Sequence, residues 1–231
     1  MPLSDQLTAT VREAVAEARS RIDEARARGG HGQDVTLVAV TKTHGPDAVE
    51  AAWAAGVGDV GENRVQEAEQ KMALVEAPVR WHLIGHLQRN KAKHALRFAL
   101  FHGMDSERLA LALHTAAVDG GAVLDVLVQV NVSGEATKGG FTPAELPAFA
   151  DQLHGLPHLR VRGVMTMAPF DADEATLRSV FRGAYAMRAL LQGAGHAAEA
   201  LSMGMSGDYA IAVEEGATHV RLGTALFGGR T

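Results

Sequence analysis

Lysine is rare in this sequence, and one lysine directly follows a run of residues that could form a buried strand. The chain contains five lysines among its 22 basic residues. Lys42 comes after six uncharged residues, 36–41. Burial at the end of such a strand should lower the pKa of the Lys42 amine and make it a nucleophile that forms Schiff bases with carbonyl compounds. A lysine at a strand end can instead extend its ammonium group to solvent, so Lys42 alone leaves both roles open.

Two glycine-rich segments near the carboxyl terminus could bind a phosphate group. Residues 202–208 read Ser-Met-Gly-Met-Ser-Gly-Asp, and residues 221–228 read Arg-Leu-Gly-Thr-Ala-Leu-Phe-Gly. Bare backbone N–H groups and hydroxyls that precede a helix bind anions, and barrel enzymes commonly use the loops after strands 7 and 8 for phosphate. Together with Lys42, these loops predict a site for a phosphorylated carbonyl compound. A sugar phosphate in an aldolase and pyridoxal 5′-phosphate (PLP) both meet this description.

Arg221 favours PLP over a sugar phosphate. It lies in the last predicted strand, which would neighbour the strand before Lys42 in a closed barrel. A guanidinium at that position could face the pyridine nitrogen of PLP and keep it unprotonated, and an aldolase has less need of such a group. A salt bridge from Arg221 to a strand-end acid such as Glu62 is the structural alternative.

The elements that would position these residues alternate between strands and helices. Apolar and β-branched runs predict eight strands, at residues 35–42, 59–62, 81–84, 100–104, 123–132, 160–167, 200–203 and 219–222. Helical patterns predict a first helix that ends at residues 29–30, and further helices at 46–55, 64–75, 90–98, 106–118, 143–153, 173–191 and 208–215. Eight such units predict an α/β fold, a single-domain (β/α)8 TIM barrel. A doubly wound open sheet is the alternative, but no Gly-x-Gly-x-x-Gly motif follows the first strand.

The composition is typical of one globular domain in a reducing compartment. The 231 residues include no cysteine, and 47% are hydrophobic and 21% charged. A net charge of −5 without any basic, aromatic-rich run argues against nucleic acid as a partner. The charged amino-terminal segment and the short apolar runs predict a cytoplasmic protein without membrane contact. The 11 histidines lack metal-ligand spacing, so no metal is expected.

Four glutamates lie on or near one predicted amphipathic helix. They are Glu62, Glu67, Glu69 and Glu76. Their positions predict a solvated acidic face.

Five segments together resemble the YggS/PROSC family of PLP homeostasis proteins. They are Val-Thr-Lys-Thr at residues 40–43, Gly-Glu-Asn at 61–63, Trp-His-Leu-Ile-Gly-His-Leu-Gln-x-Asn-Lys at 81–91, and the two glycine-rich segments. The resemblance runs from about residue 35 to residue 229. It implies PLP fold type III, a barrel like the amino-terminal domain of alanine racemase. It also implies that the cofactor is held as a Schiff base on Lys42.

The same resemblance implies which residues contact the cofactor. They are Lys42, Asn63, His86, Met203, Ser206, Arg221, Gly223 and Thr224. Within this set, Ser206, Gly223 and Thr224 fall on phosphate-binding positions. Asn63 lies beside the cofactor, and Arg221 lies near its pyridine nitrogen.

The function implied is intracellular PLP homeostasis, meaning storage, buffering or delivery of the cofactor without robust catalysis. PLP is the expected ligand, and PLP-dependent apo-enzymes are the expected transient partners. We expect a monomer with one PLP-binding barrel domain over residues 1–231 and an added helix at about residues 3–29. The alternative is a low-activity PLP-dependent amino-acid racemase. Such an enzyme needs a second base, and the chain has two tyrosines, of which Tyr185 is predicted to pack within a helix.

Overall fold

A computed structural model describes residues 3–135 and 138–229 of the chain. Eight parallel strands close into a barrel in sequence order. They are β1 Thr36–Val40, β2 Asp59–Glu62, β3 Arg80–Leu83, β4 Leu100–Met104, β5 Leu124–Gln129, β6 Leu159–Met165, β7 Ala200–Ser202 and β8 His219–Leu222. The predicted TIM barrel is confirmed. Positions 1, 2, 136, 137, 230 and 231 of the predicted domain lie outside the described residues.

Helices connect the strands and surround the barrel. They are α1 Leu3–Gly29, α2 Pro46–Ala54, α3 Val65–Met72, α4 Glu107–Asp119, α5 Leu146–Leu153, α6 Glu174–Gly193, α7 Tyr209–Glu214 and α8 Thr224–Phe227. Two of them begin at a side chain that accepts a backbone hydrogen bond: Ser106 from Leu109 N–H before α4, and Asp173 from Thr176 N–H before α6. Within the part of the chain that the structure describes, no helix is long and apolar enough to span a membrane.

The helix predicted between β3 and β4 is a 3-10 helix, Arg89–Arg97. Its two buried residues are Ala92 and Ala95, which lie three positions apart. Side chains at i and i+3 eclipse in a 3-10 helix, so this geometry turns both alanines toward the core. The polar residues of the segment can then remain on the solvent side.

The barrel closes between β1 and β8, which brings distant parts of the sequence together. Val38 pairs with Arg221, and Ala39 pairs with Leu222. The chain segments after both strands therefore emerge side by side at the carboxyl-terminal end of the barrel. This closure places Lys42 next to the glycine-rich segment at residues 221–228.

The first helix, α1, packs on the outside of the barrel. Its buried residues recur at spacings of three and four, and they are Val11, Val15, Ala18, Ile22 and Ala25. At the carboxyl-terminal end of α1, a Cβ at Gly29 would lie 2.5 Å from the carbonyl oxygen of Glu214, so only glycine permits this close approach to α7. Arg28 adds an ion pair there, with Nε 2.6 Å from Glu214 Oε1.

Candidate functional site

A cavity of about 890 Å³ opens at the carboxyl-terminal ends of the strands. Its wall includes seven of the eight residues implied by the sequence. They are Lys42, Asn63, His86, Ser206, Arg221, Gly223 and Thr224. The active sites of TIM barrels lie at this end, because the loops that follow the parallel strands converge there.

The eighth residue, Met203, does not line the cavity, contrary to the prediction that it borders the pocket. Met203 is 0% exposed and belongs to the apolar core between the sheet and the helices. Successive side chains of a strand point to opposite faces. Because Ser202 at the end of β7 faces the barrel interior, the next side chain faces outward.

Lys42 is held at a sharp turn that follows β1. Thr41 N–H donates to the carbonyl of Gly61 at 3.1 Å, and this continues the pairing of β1 with β2 for one residue. Thr43 then adopts φ 69°, a left-handed conformation that is unfavourable for a β-branched residue. The half-buried Lys42 between them has no recorded hydrogen bond or ion pair with any described residue, so its amine is available to a ligand in the cavity.

A buried ion pair fixes the backbone on both sides of Lys42. Lys71 Nζ lies 2.7 Å from Glu62 Oε1, 2.9 Å from Glu67 Oε1 and 2.7 Å from the carbonyl oxygen of Thr41. Glu67 Oε1 also accepts the N–H of Thr43 at 2.5 Å. Lys71 and Glu67 on α3 thereby hold the turn that carries Lys42.

The predicted acidic face is therefore wrong for Glu62, which is fully buried. It ends β2, and its side chain accepts hydrogen bonds from Lys71 and from the Thr41 hydroxyl. Burial raises the pKa of Glu62, although these hydrogen bonds oppose the shift. The proposed alternative of a Glu62–Arg221 salt bridge is also wrong, because Lys71 takes that carboxylate.

Asn63 and His86 follow β2 and β3 at the cavity wall. A Cβ at Gly85 would lie 2.3 Å from the carbonyl oxygen of Asn63, so glycine is needed where these two segments meet. His86 is at the rim, with a side chain that is 71% exposed and Nδ1 3.0 Å from Asp105 Oδ2. His86 therefore borders the cavity without being enclosed by it.

Five polar residues of the cavity wall are not among the eight predicted from the sequence: Asp105, Gln129, Lys138, Asp171 and Asp208. Asp105 directly follows β4, so the rule that inspects strand ends could have found it. Gln129 is the last residue of β5, and its Nε2 donates to the carbonyl of Gly139 at 2.8 Å. Lys138 reaches the cavity from a loop, and its Nζ lies 2.8 Å from Glu135 Oε1. Nothing in its sequence context indicated that position.

The two glycine-rich loops meet at the cavity wall. Ser206 Oγ accepts the N–H of Ala225 at 3.1 Å, which ties the loop after β7 to the start of α8. Gly204 has φ 93°, and a Cβ there would lie 2.9 Å from Tyr209 Cα, so the turn requires glycine. A Cβ at Gly207 would meet nothing within 4 Å, so the backbone is open to the cavity.

Arg221 is a buried cation that lines the cavity without a recorded salt bridge to the described residues. It is 5% exposed. Nη1 donates to Ser202 Oγ at 2.6 Å, and Nη2 donates to the carbonyl of Thr166 at 3.0 Å. Burial lowers the pKa of Arg221 to about 10, against the opposing negative charge of Asp208, so the guanidinium remains charged at neutral pH.

These residues fit an aromatic aldehyde that carries a phosphate. A lysine amine, an open glycine-rich wall with two hydroxyls, and a cationic guanidinium with unused N–H groups face one cavity. A buried cation is costly unless something accepts its hydrogen bonds, so Arg221 calls for a ligand acceptor. A ring nitrogen with a lone pair would be such an acceptor.

The two tyrosines lie elsewhere. Tyr209 is buried in the core, and Tyr185 packs with its ring centroid 5.3 Å from that of His31. Neither side chain is part of the cavity wall as the structure describes it.

Comparison with protein families matches residues 15–231 to the alanine racemase amino-terminal domain. The chain is 43% identical to a pyridoxal phosphate homeostasis protein from Pseudomonas aeruginosa, over 96% of both chains. It is 39% identical to a protein of the same name from Aquifex aeolicus, over 94% of this chain and 97% of the other.

Solved structures with the same fold include PipY from Synechococcus elongatus, determined with PLP bound. Its TM-score is 0.84 at 38% identity, over 94% of this chain and 100% of that chain. An alanine racemase from Streptomyces lavendulae has a TM-score of 0.73 at 20% identity, over 98% of this chain and 58% of that chain. At that identity the likeness concerns the fold alone.

Proposed function

The chain belongs to the pyridoxal phosphate homeostasis protein family, and on that premise we propose that it binds PLP as part of intracellular PLP homeostasis. Storage, buffering and delivery of the cofactor all require reversible binding. PipY, a related protein with the same fold, has been solved with PLP bound. The single observation that carries the proposal is the convergence of Lys42, Arg221 and the two glycine-rich loops on one cavity.

Lys42 is the proposed attachment point. Its Nζ would hold the cofactor aldehyde as a Schiff base, with release of one water. An incoming amine would replace the lysine, which would leave as a free amine. PLP itself supplies an electron sink for reactions at amino-acid carbons when it is bound. The ion pair between Lys71 and Glu62 keeps the Lys42 backbone fixed during attachment and release.

The phosphate and the ring would be held at the other side of the cavity. Ser206 and Thr224 offer hydroxyls, Gly207 leaves its backbone open, and Gly223 also lines the cavity. Arg221 would donate to the pyridine nitrogen and, as a permanent cation, keep it unprotonated. Asn63 and His86 would border the cofactor from the ends of β2 and β3. Met203 acts only through the core.

A carrier fits this cavity better than a racemase does. A ring nitrogen that stays unprotonated makes PLP a weak electron sink. Racemisation also needs a base on each side of the amino-acid carbon, and neither tyrosine lies on the described cavity wall. We include in the proposal one PLP-binding domain spanning residues 1–231, a cytoplasmic monomer, and transient contact with PLP-dependent apo-enzymes that receive the cofactor.

The proposal is tested by the visible absorbance of the purified protein after PLP is added. A Schiff base on Lys42 gives a chromophore that differs from that of free PLP. We expect Lys42→Ala to abolish this chromophore while the protein stays folded, because the half-buried side chain contributes little to the core. Circular dichroism verifies the fold.

Lys138→Ala provides the matched control. Lys138 is the other lysine of the described cavity wall, but it is paired with Glu135. We expect this variant to keep the chromophore. An unchanged chromophore in Lys42→Ala would refute the attachment point.

A further inference from the structure

Four polar side chains lie inside the barrel, where TIM barrels usually carry branched apolar residues. His82 is on β3, His102 on β4, Ser202 on β7 and Arg221 on β8, and their exposed fractions lie between 0 and 5%. Burying such groups is costly unless they are hydrogen-bonded. Their presence in the interior therefore requires an explanation beyond packing.

These side chains form one continuous hydrogen-bond chain that ends on Asp59. Arg221 Nη1 lies 2.6 Å from Ser202 Oγ, and Ser202 Oγ lies 2.9 Å from His102 Nδ1. His102 Nε2 lies 2.9 Å from His82 Nδ1, and His82 Nε2 lies 2.9 Å from Asp59 Oδ1. Asp59 is the first residue of β2, so the chain runs from the amino-terminal end of the barrel to the cavity wall.

The carboxylate end sets the direction of the hydrogen bonds when both rings are neutral. An ionised carboxylate can only accept, so His82 donates from Nε2 to Asp59. Nδ1 of a neutral His82 then accepts from Nε2 of His102. Nδ1 of a neutral His102 accepts in turn from the Ser202 hydroxyl, whose oxygen accepts from Arg221. The hydrogen-bond chain therefore corresponds to two neutral histidines, each with its proton on Nε2.

The electrostatic environment agrees with this assignment. Burial raises the pKa of Asp59, but hydrogen bonds from His82 and Arg80 outweigh it and hold the pKa at about 2. Burial lowers the pKa of His102 well below its usual value. An anionic Asp59 and a neutral His102 are the states that the chain requires.

We propose that Ser202, His102 and His82 are positioning residues that orient Arg221. They leave the guanidinium N–H groups that the hydrogen-bond chain does not use facing the cavity. The contacts to Ser202 and Thr166 use two of the five guanidinium N–H groups. The inference rests on the proposed function, because the group to which Arg221 would donate is the pyridine nitrogen of PLP. It adds that residues reaching to the opposite end of the barrel determine the orientation of the Arg221 guanidinium.

The first test uses the protein without PLP. In ¹⁵N NMR spectra of histidine-labelled protein, we expect His82 and His102 to show an unprotonated Nδ1 and a protonated Nε2 at neutral pH. A cationic ring, or the opposite tautomer in either histidine, would refute the assigned hydrogen-bond chain. This result does not depend on whether PLP binds.

The second test compares PLP with 1-deaza-PLP, in which a C–H group replaces the ring nitrogen. The wild type should bind PLP more tightly than the analogue, because only PLP accepts a hydrogen bond from Arg221. We expect Ser202→Ala to reduce this preference on the order of tenfold. Equal weakening of both ligands would mean that Ser202 has a structural role only, and the proposal would fail.

His219→Asn is the matched control. The centroid of the His219 ring lies 6.3 Å from that of His82 and 6.2 Å from that of His102. Its Nδ1 contacts Thr218 Oγ1 and is not part of the hydrogen-bond chain. This variant should keep the preference for PLP. Asp59→Asn provides a second break at the far end of the chain, and it should reduce the preference even if Ser202→Ala does not fold. A wild type that binds no PLP would refute the proposed function. The histidine tautomers seen by NMR would still test the hydrogen-bond chain in that case.

Discussion

Ser206 makes the phosphate site testable at a single hydroxyl. The group lies on the cavity wall and accepts the N–H of Ala225, so its own proton is free for an anion. Removing one hydrogen bond to a charged group costs about 1.5–3 kcal/mol, which is roughly ten- to hundredfold in affinity. We expect Ser206→Ala to weaken PLP binding by that factor.

The specificity of this loss is measured with pyridoxal, which lacks the phosphate. Titrations should show little change in pyridoxal affinity for Ser206→Ala, and Ser20→Ala, on the exposed side of α1, should change neither ligand. A parallel loss for pyridoxal and PLP would argue that Ser206 shapes the loop and does not contact phosphate.

At the scale of elements, α3 is joined to the ends of β1 and β2 by the buried Lys71–Glu62 pair. Removing one partner of a buried pair costs about 3–5 kcal/mol, because the other charge remains without compensation. We expect Lys71→Met to lower the free energy of unfolding by about that amount near neutral pH. The loss should shrink in acid, because burial raises the pKa of Glu62 and protonation removes its charge.

Urea unfolding of three variants measures this effect. Lys93→Met, at an exposed lysine, should change stability by less than about 0.5 kcal/mol. The double variant Lys71→Met/Glu62→Gln should recover part of the loss. If Lys71→Met resembles Lys93→Met, the pair does not stabilise the turn at Lys42.

The elements also show what could be predicted from the sequence. Strand alternation and the strand-end rule identified Lys42, Asn63 and Ser206, because a parallel barrel forces these positions to one end. Met203 was placed in the pocket by the family resemblance alone, whereas alternation along β7 turns its side chain to the side opposite to Ser202.

Other site features depend on contacts that no local pattern encodes. Lys71 and Glu62 are nine residues apart, but their pairing needs α3 to fold back over the end of β2. Lys138 enters the cavity from a loop without a strand or helix pattern. The chain between Asp59 and Arg221 joins five strands, so it exists only once the barrel has closed.

The molecule as a whole should lose stability in acid because its interior holds neutral histidines. Burial lowers the pKa of His219 from 6.5 to about 4. The unfolded chain therefore binds a proton at a higher pH than the folded chain does. His219 should contribute on the order of 3 kcal/mol above pH 6.5, and this contribution is lost as the pH falls toward 4. His102 acts in the same direction.

Unfolding free energies measured between pH 7 and pH 4 test this dependence. His219→Asn should flatten the decline over this range, and His31→Asn, at an exposed histidine, should leave it unchanged. Below pH 3.8, Asp59 adds a further loss, because its pKa is lowered to about 2 in the folded state. A stability that is constant from pH 7 to pH 4 would contradict the assignment of neutral buried histidines.

The attachment of PLP to Lys42 can be located directly. Borohydride reduces a Schiff base to a stable amine, so treatment of the PLP-loaded protein followed by peptide mass mapping locates the attachment. We expect one pyridoxyl group per chain, on the peptide that contains Lys42, and none on the peptide that contains Lys138. A label on Lys138, or one spread over several lysines, would show that Lys42 is not the attachment point.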